Sequence, residues 1–173
     1  QVPLLTREQE VGISIRIEQA EAAITVALSS FGFIADADLD LAAKLACEGS
    51  FRNSGQRCTA VKRILVVEEI REAFTGKFVA LAKTYISGDP ENESTLVGTV
   101  ITEDSAKLLE RRVKDAVAMG AKVLLGGGRM GALLEPTILT DVPREAEVVD
   151  EESFGPLAPI ISIKDLDDAI AYY

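Results

Sequence analysis

The chain has 173 residues, 47% of them apolar, and carries 28 acidic against 18 basic side chains for a formal net charge of −10. That length and apolar share suffice for one ordinary domain with a real core, and an acidic excess spread along the chain disfavours nucleic acid and anionic membrane surfaces as partners. There is no histidine and there are only two cysteines, which excludes a Cys-His or Ser-His-Asp hydrolase built within this chain and leaves no plausible zinc site.

Residues 22–35 form the longest uncharged run, fourteen residues, short of the ~20 apolar residues a spanning helix needs. Arg7, Glu8 and Glu10 precede any apolar stretch, so the start lacks the basic-then-apolar layout of a secretory signal. Two cysteines make no disulfide framework, and a reducing cytoplasm is the expected location. Residues 1–35 are weakly patterned, strand-like over 13–17 and suited to a helix over 17–28, and are set apart as a leader of uncertain structure.

From Asp38, a candidate cap, the apolar positions Leu39, Ala42, Ala43 and Ala46 repeat at helical spacing until Asn53-Ser54-Gly55 stops the helix. Residues 61–67 are β-rich, and the next segment puts Ile70, Ala73, Phe74, Phe78 and Leu81 on one helical face. Ser87-Gly88-Asp89-Pro90 is a turn. Another helix opens at Thr102 with Glu103 and Asp104 at its positive end, carries the apolar face Ala106, Leu109, Val113, Ala116 and Val117, and ends at Gly120. Residues 122–125, 137–139 and 159–163 have strand character, and a helix follows from Asp165. Strands alternating with helices predict an α/β fold with a largely parallel sheet flanked by helices. The last helix stops mid-pattern at Tyr173 with no cap or breaker, so the chain is expected to be truncated there.

Gly55-Gln56-Arg57-Cys58-Thr59-Ala60 places a cysteine behind a glycine turn in the one strongly basic window of the chain. Arg52, Arg57, Lys62 and Arg63 lie between Glu48 and Glu68 with no acid among them. Positive surroundings favour thiolate over thiol, so Cys58 is a candidate nucleophile. The competing reading is a buried structural cysteine, which suits Cys47 among Ala43, Leu45 and Ala46. Without histidine, a base for Cys58 must be a carboxylate, water or another domain.

Two further motifs carry alternatives. Gly126-Gly127-Gly128-Arg129-Met130-Gly131 satisfies the dinucleotide fingerprint, but Ala132-Leu133-Leu134-Glu135-Pro136 leads into a strand. The fingerprint works by opening a helix whose N-terminus holds the pyrophosphate, so a flexible connecting loop is the reading here. Asp150-Glu151-Glu152-Ser153-Phe154-Gly155-Pro156 is either a solvated acidic loop or an acid that hydrogen-bonds ribose hydroxyls beside an aromatic ring.

Taken together, the Gly55–Ala60 motif and Glu151-Glu152-Ser153-Phe154-Gly155-Pro156 resemble the nucleophile loop and the Glu-x-Phe-Gly-Pro cofactor loop of the aldehyde dehydrogenase superfamily, in matching order and separation. Asp36-Ala37-Asp38-Leu39-Asp40 and Glu135-Pro136-Thr137-Ile138-Leu139 add to the likeness, which covers residues 36–173. Within the superfamily, Asn53-Ser54-Gly55-Gln56-Arg57-Cys58-Thr59-Ala60-Val61-Lys62-Arg63 is most similar to phosphonoacetaldehyde dehydrogenase, with non-phosphorylating glyceraldehyde-3-phosphate dehydrogenase close behind.

The resemblance implies that residues 36–173 are the catalytic domain of that fold. It further implies oxidation of a small aldehyde, phosphonate- or phosphate-bearing, to the carboxylate with NAD or NADP through a thioester on Cys58. Arg57 would bind the substrate's anion, with simple solvation as its alternative. Glu152 would hold the nicotinamide-ribose hydroxyls, Phe154 would pack near the nicotinamide ring, and the Cys58 backbone N–H would supply half of an oxyanion hole. No metal is implied, and the full-length protein is expected to be a homo-oligomer. The family's Glu-Leu-Gly-Gly base motif aligns with about Ala23-Ile24-Thr25-Val26, where no carboxylate stands, and Glu21 is not assigned its role. The resemblance also leads one to expect that the family's amino-terminal cofactor-binding domain lies outside these 173 residues. Little turnover is therefore expected of this chain alone, and the alternative to an enzyme fragment is a non-catalytic relative acting as a binding or scaffold module.

Overall fold

The computed structural model describes residues 35–171. The readings placed on residues 13–17, 17–28 and 23–26, and the end of the last helix, lie outside them. Helix α1 (Ala35–Phe51) passes into a single 3-10 turn, Arg52–Gly55. Strand β1 (Ile64–Val67), helix α2 (Glu68–Ala82) and helix α3 (Glu103–Ala118) follow. Next come strand β2 (Lys122–Leu125), the short strands β3 (Arg129–Met130) and β4 (Leu133–Leu134), and strand β5 (Thr137–Thr140). The one-turn helix α4 (Glu147–Asp150), strand β6 (Leu157–Ile163) and helix α5 (Leu166–Ile170) complete the described residues.

The sheet has the order β1-β6-β5-β2, with β1–β6 and β6–β5 parallel and β5–β2 antiparallel. Central β6 is apolar almost throughout because both of its faces are covered. Its alternation divides the core. Leu157 and Ile161 join Leu139 against Ala106, Leu109, Val113 and Ala116 of α3. Ala158 and Ile160 join Ile138 against α1 and α2, where Phe51, Phe74 and Phe78 form a ring stack with centroids 6.0 and 5.7 Å apart. Fully burying each such ring contributes about 1.5–3 kcal/mol. The predicted α/β architecture, a mostly parallel sheet with helices on both faces, is the one observed.

Local differences have local causes. Ala73 and Val117 are exposed, because each sits one residue, about 100° of helix, off the line its neighbours bury. Asp38 lies inside α1 rather than at its boundary. Residues 61–63 stay out of β1, since Val61 N–H is taken by Gly49 O and the next two side chains reach into a neighbouring loop. Strand β6 starts two residues before Pro159, whose partner in the ladder is Leu139. The helices at Thr102 and Asp165 begin as expected, with those side chains accepting from Ser105 N–H and Asp168 N–H. No helix among the described residues is long and apolar enough to cross a membrane.

Candidate active site

Parallel pairing of β1 and β6 brings the two sequence motifs together. Ile64 stands opposite Ile160. Cys58 is six residues before the one and Phe154 six before the other, so the segments feeding the two strands emerge side by side at one end of the sheet. The Cys58 segment is shaped by three consecutive left-handed residues, Asn53 (φ 55°), Ser54 (φ 55°) and Gly55 (φ 68°). A left-handed conformation costs a non-glycine residue of order 1–3 kcal/mol and persists only where its surroundings hold it. Ser54 Oγ donates to Gly98 O at 3.0 Å, Asn53 Nδ2 to Gln56 O at 3.3 Å, and Gln56 Oε1 accepts from Ile101 N–H at 2.8 Å. At Gly55 no side chain could stand, since a Cβ there would lie 2.1 Å from Gly155 O of the acidic loop. The turn closed by Ala60 N–H on Arg57 O at 3.1 Å then presents Cys58 at its tip.

The acidic loop is held by cations through its backbone rather than its carboxylates. Arg63 donates to Val149 O and to Asp150 O, the latter at 3.1 Å. Arg112, buried on α3, donates from Nη1 to Glu152 O at 2.7 Å and Ser153 Oγ at 2.9 Å while its Nε pairs with Glu147 at 2.9 Å. Lys62 Nζ donates to Ser153 O and to Gly55 O, both at 2.7 Å, and stands 4.6 Å from the centroid of the Phe154 ring. These are charge-assisted bonds, stronger than neutral ones, and they leave the side chains of Asp150, Glu151 and Glu152 turned to solvent.

The predicted residues stand as follows. Cys58 is exposed, and among the described residues nothing accepts its backbone N–H. Glu152 and Phe154 are exposed on the facing loop, and among the described residues the Glu152 carboxylate has no hydrogen-bond partner. Arg57 is half-buried; its Nη2 donates to Glu48 O at 3.4 Å and Gly49 O at 3.2 Å, carbonyls that the last turn of α1 leaves open, and its Nε is buried without a partner. Cys47 is buried against Phe78 O, and burial with the nearby Glu48 charge pushes its thiol up to about 12. Burial pulls the Lys62 ammonium below its ordinary value and Arg57 adds to this, whereas Glu152 and Cys58 oppose it. Lys62 thus feels Cys58, Glu152 and Arg57 at once.

Composition marked Lys62 and Arg63 as charge around Cys58 but not as ties to the other loop, and Arg112 escaped notice. Its signal is a cation beside Val113 within the apolar stripe of α3. The Gly126–Gly128 segment opens no helix. It leads into the β3–β4 hairpin, with Gly127 N–H on Thr137 Oγ1 and Gly128 N–H on Glu135, each at 3.0 Å, so it is a tied connection rather than a phosphate cradle. A cavity of about 430 Å³ lies elsewhere, between the end of α2 and Leu125, Gly126 and Pro136, and none of Arg57, Cys58, Glu152 or Phe154 lines it.

An exposed cysteine at a turn tip thus faces a Glu-x-Phe-Gly-Pro loop on a mostly parallel α/β sheet. The aldehyde dehydrogenase family model matches residues 18–173, and this chain belongs to that family. It is 38% identical over 137 residues to a succinate-semialdehyde dehydrogenase [NADP(+)] of Deinococcus radiodurans, covering 78% of this chain and 29% of that protein. It is 34% identical over 168 residues to a lactaldehyde dehydrogenase of Methanococcus maripaludis, covering 95% and 36%. Among solved structures, a glyceraldehyde-3-phosphate dehydrogenase from Methanocaldococcus jannaschii complexed with NADP superposes with TM-score 0.75 at 40% identity, over 80% of this chain and 30% of that one. The chain therefore spans about a third of the length of these relatives. Their names point to succinate semialdehyde, lactaldehyde and glyceraldehyde 3-phosphate rather than to phosphonoacetaldehyde.

Proposed function

We propose that this chain carries the nucleophile-bearing side of the active site of an NAD(P)+-dependent enzyme that oxidises a small, anion-bearing aldehyde to its carboxylate. The observation that supports this most is the junction itself: an exposed Cys58 locked through Gly55 and Lys62 to the loop that displays Glu152 and Phe154. A free carboxylate and an exposed ring beside the thiol suit a nicotinamide nucleotide, with Glu152 on the ribose hydroxyls and Phe154 near the nicotinamide. That cofactor, when bound, supplies the hydride acceptor.

This chain's own residues do the rest. The Cys58 thiolate attacks the aldehyde carbon, forming a C–S bond and placing negative charge on the former carbonyl oxygen, which the free Cys58 N–H is positioned to receive. Loss of hydride from that carbon leaves a thioester on Cys58, and water cleaves it to release the acid and restore the thiol. Arg57, the cation next to Cys58, is assigned to the substrate's anion. Residues 53–63 favour a phosphonate, whereas the relatives favour a carboxylate or phosphate. A distal anion is common to these. The lactaldehyde relative makes an uncharged hydroxyaldehyde the second reading.

Thiohemiacetal formation needs no cofactor, so substrate protection tests the proposal directly. Cys58 alkylation by iodoacetamide, followed by intact mass, is expected to slow in succinate semialdehyde, phosphonoacetaldehyde or glyceraldehyde 3-phosphate more than in equal lactaldehyde. Equal protection by all four favours the uncharged reading, and protection by none overturns the nucleophile assignment. With NAD+ or NADP+ added, little reduced nicotinamide is expected from the 173-residue chain. A steady signal lost in Cys58→Ala would overturn that part.

A further inference from the structure

Three cations hold the acidic loop, yet Lys62 differs from the other two in also bonding the nucleophile loop. Arg63 ties Val149 and Asp150, and Arg112 ties Glu152 and Ser153 to α3. Lys62 Nζ is divided equally, 2.7 Å from Gly55 O three residues before Cys58 and 2.7 Å from Ser153 O between Glu152 and Phe154. Its ammonium also lies 4.6 Å from the centre of the Phe154 ring, within cation–π range. The loops it joins are in backbone contact at Gly55 and Gly155, and no strand ladder pairs them, since β1 and β6 begin only at Ile64 and Leu157.

We infer that Lys62 is a positioning residue, a latch that sets the loop bearing Cys58 against the loop bearing Glu152 and Phe154. The inference rests on the proposed function only in treating those three residues as one site. Two charge-assisted bonds and a ring contact made by one side chain fix distance and orientation together. A lysine supplies this because its three N–H donors diverge from a single point. An arginine in its place keeps the charge and the donors; a methionine keeps the stem and loses both.

The test is local amide exchange, read by mass spectrometry on the intact 173-residue chain. In Lys62→Met, exchange over residues 149–156 is expected to rise about tenfold or more, while α2 and β6 keep their protection. Lys62→Arg is expected to return most of that protection. Unchanged exchange in Lys62→Met, or exchange raised equally through α2 and β6, would overturn the latch. Should Lys62→Met not fold, wild-type acetylation decides: a latched Lys62 is modified about tenfold more slowly than exposed Lys44 and Lys83, and an equal rate overturns it. None of these readouts involves turnover. A chain whose Cys58 shows no substrate protection but whose loop is freed in Lys62→Met would lose the proposed function and keep the latch.

Discussion

At Gly55 and at Gly126 the backbone does nearly the same thing. Their φ angles are +68° and +72°, and a Cβ would fall 2.1 Å from Gly155 O in one case and 2.2 Å from Pro136 O in the other. Both lie in glycine motifs that sequence reading could attach to cofactor or substrate chemistry. The difference is what stands across the contact. Gly55 touches a loop a hundred residues on, one that displays a free acid and an aromatic ring. Gly126 touches its own hairpin connection, ten residues away, and the chain goes on into β3 rather than a helix. A glycine motif is therefore identified by its opposing surface and by the element that follows, not by its spacing.

The sharpest way to break this comparison is to put a methyl group at both sites. Gly55→Ala and Gly126→Ala are each expected to cost roughly 2–5 kcal/mol, from left-handed strain plus overlap with a backbone oxygen. Their losses should separate by location. In the chain that remains folded, Gly55→Ala is expected to change the Cys58 alkylation rate severalfold, and Gly126→Ala to leave it as in wild type. Denaturant melts with intact-mass labelling check both. An equal change in Cys58 labelling would mean the two loops are coupled and the contrast fails.

A smaller effect comes from the other thiol, which sits in the core cluster that includes Ile138 and, at its edge, Leu125. Cys47 has its folded value pushed from 9.0 to about 12, chiefly by burial. The native state therefore keeps a proton that the unfolded chain gives up, and stability falls as pH rises above about 9 and towards 12. The slope reaches at most about 1.4 kcal/mol per pH unit for one proton. Tyr85, raised by burial and by Cys47 and Glu48, acts in the same direction. Urea melts at stepped alkaline pH should show a shallower decline in Cys47→Ala. At neutral pH iodoacetamide should mark Cys58 in the folded chain and Cys47 only on unfolding.

Much of this was legible in the residues. The helical faces at 39–46, 70–81 and 106–116, the helix starts at Thr102 and Asp165 and the alternation of strand and helix all depend on local pattern, which sequence displays, whereas the cap expected at Asp38 lies inside α1. The pairing of the two motifs followed from family likeness, and the β1–β6 register supplies its physical reason. What could not be read is where charged side chains go once the sheet forms. Lys62, Arg63 and Arg112 bond carbonyls 40–91 residues away, and Lys62 one 7 residues back, only after folding places them, and no spacing rule encodes a carbonyl as a partner. The β3–β4 hairpin was missed for a different reason: two-residue strands are too short to show alternation.

The smallest expected effect isolates conformation from contact. Gly131 opens the turn between β3 and β4 with φ +60°, as left-handed as Gly55, yet a Cβ there meets nothing within 4 Å. Gly131→Ala therefore bears only the left-handed cost of an L-residue, about 1–2 kcal/mol, offset in part by the smaller entropy of the unfolded chain. A net loss of about 1 kcal/mol or less is expected in a urea melt, with Cys58 labelling unchanged. If Gly131→Ala instead costs as much as Gly126→Ala, backbone sign alone governs these loops. The close approach of Gly55 to Gly155 would then count for little in their stability.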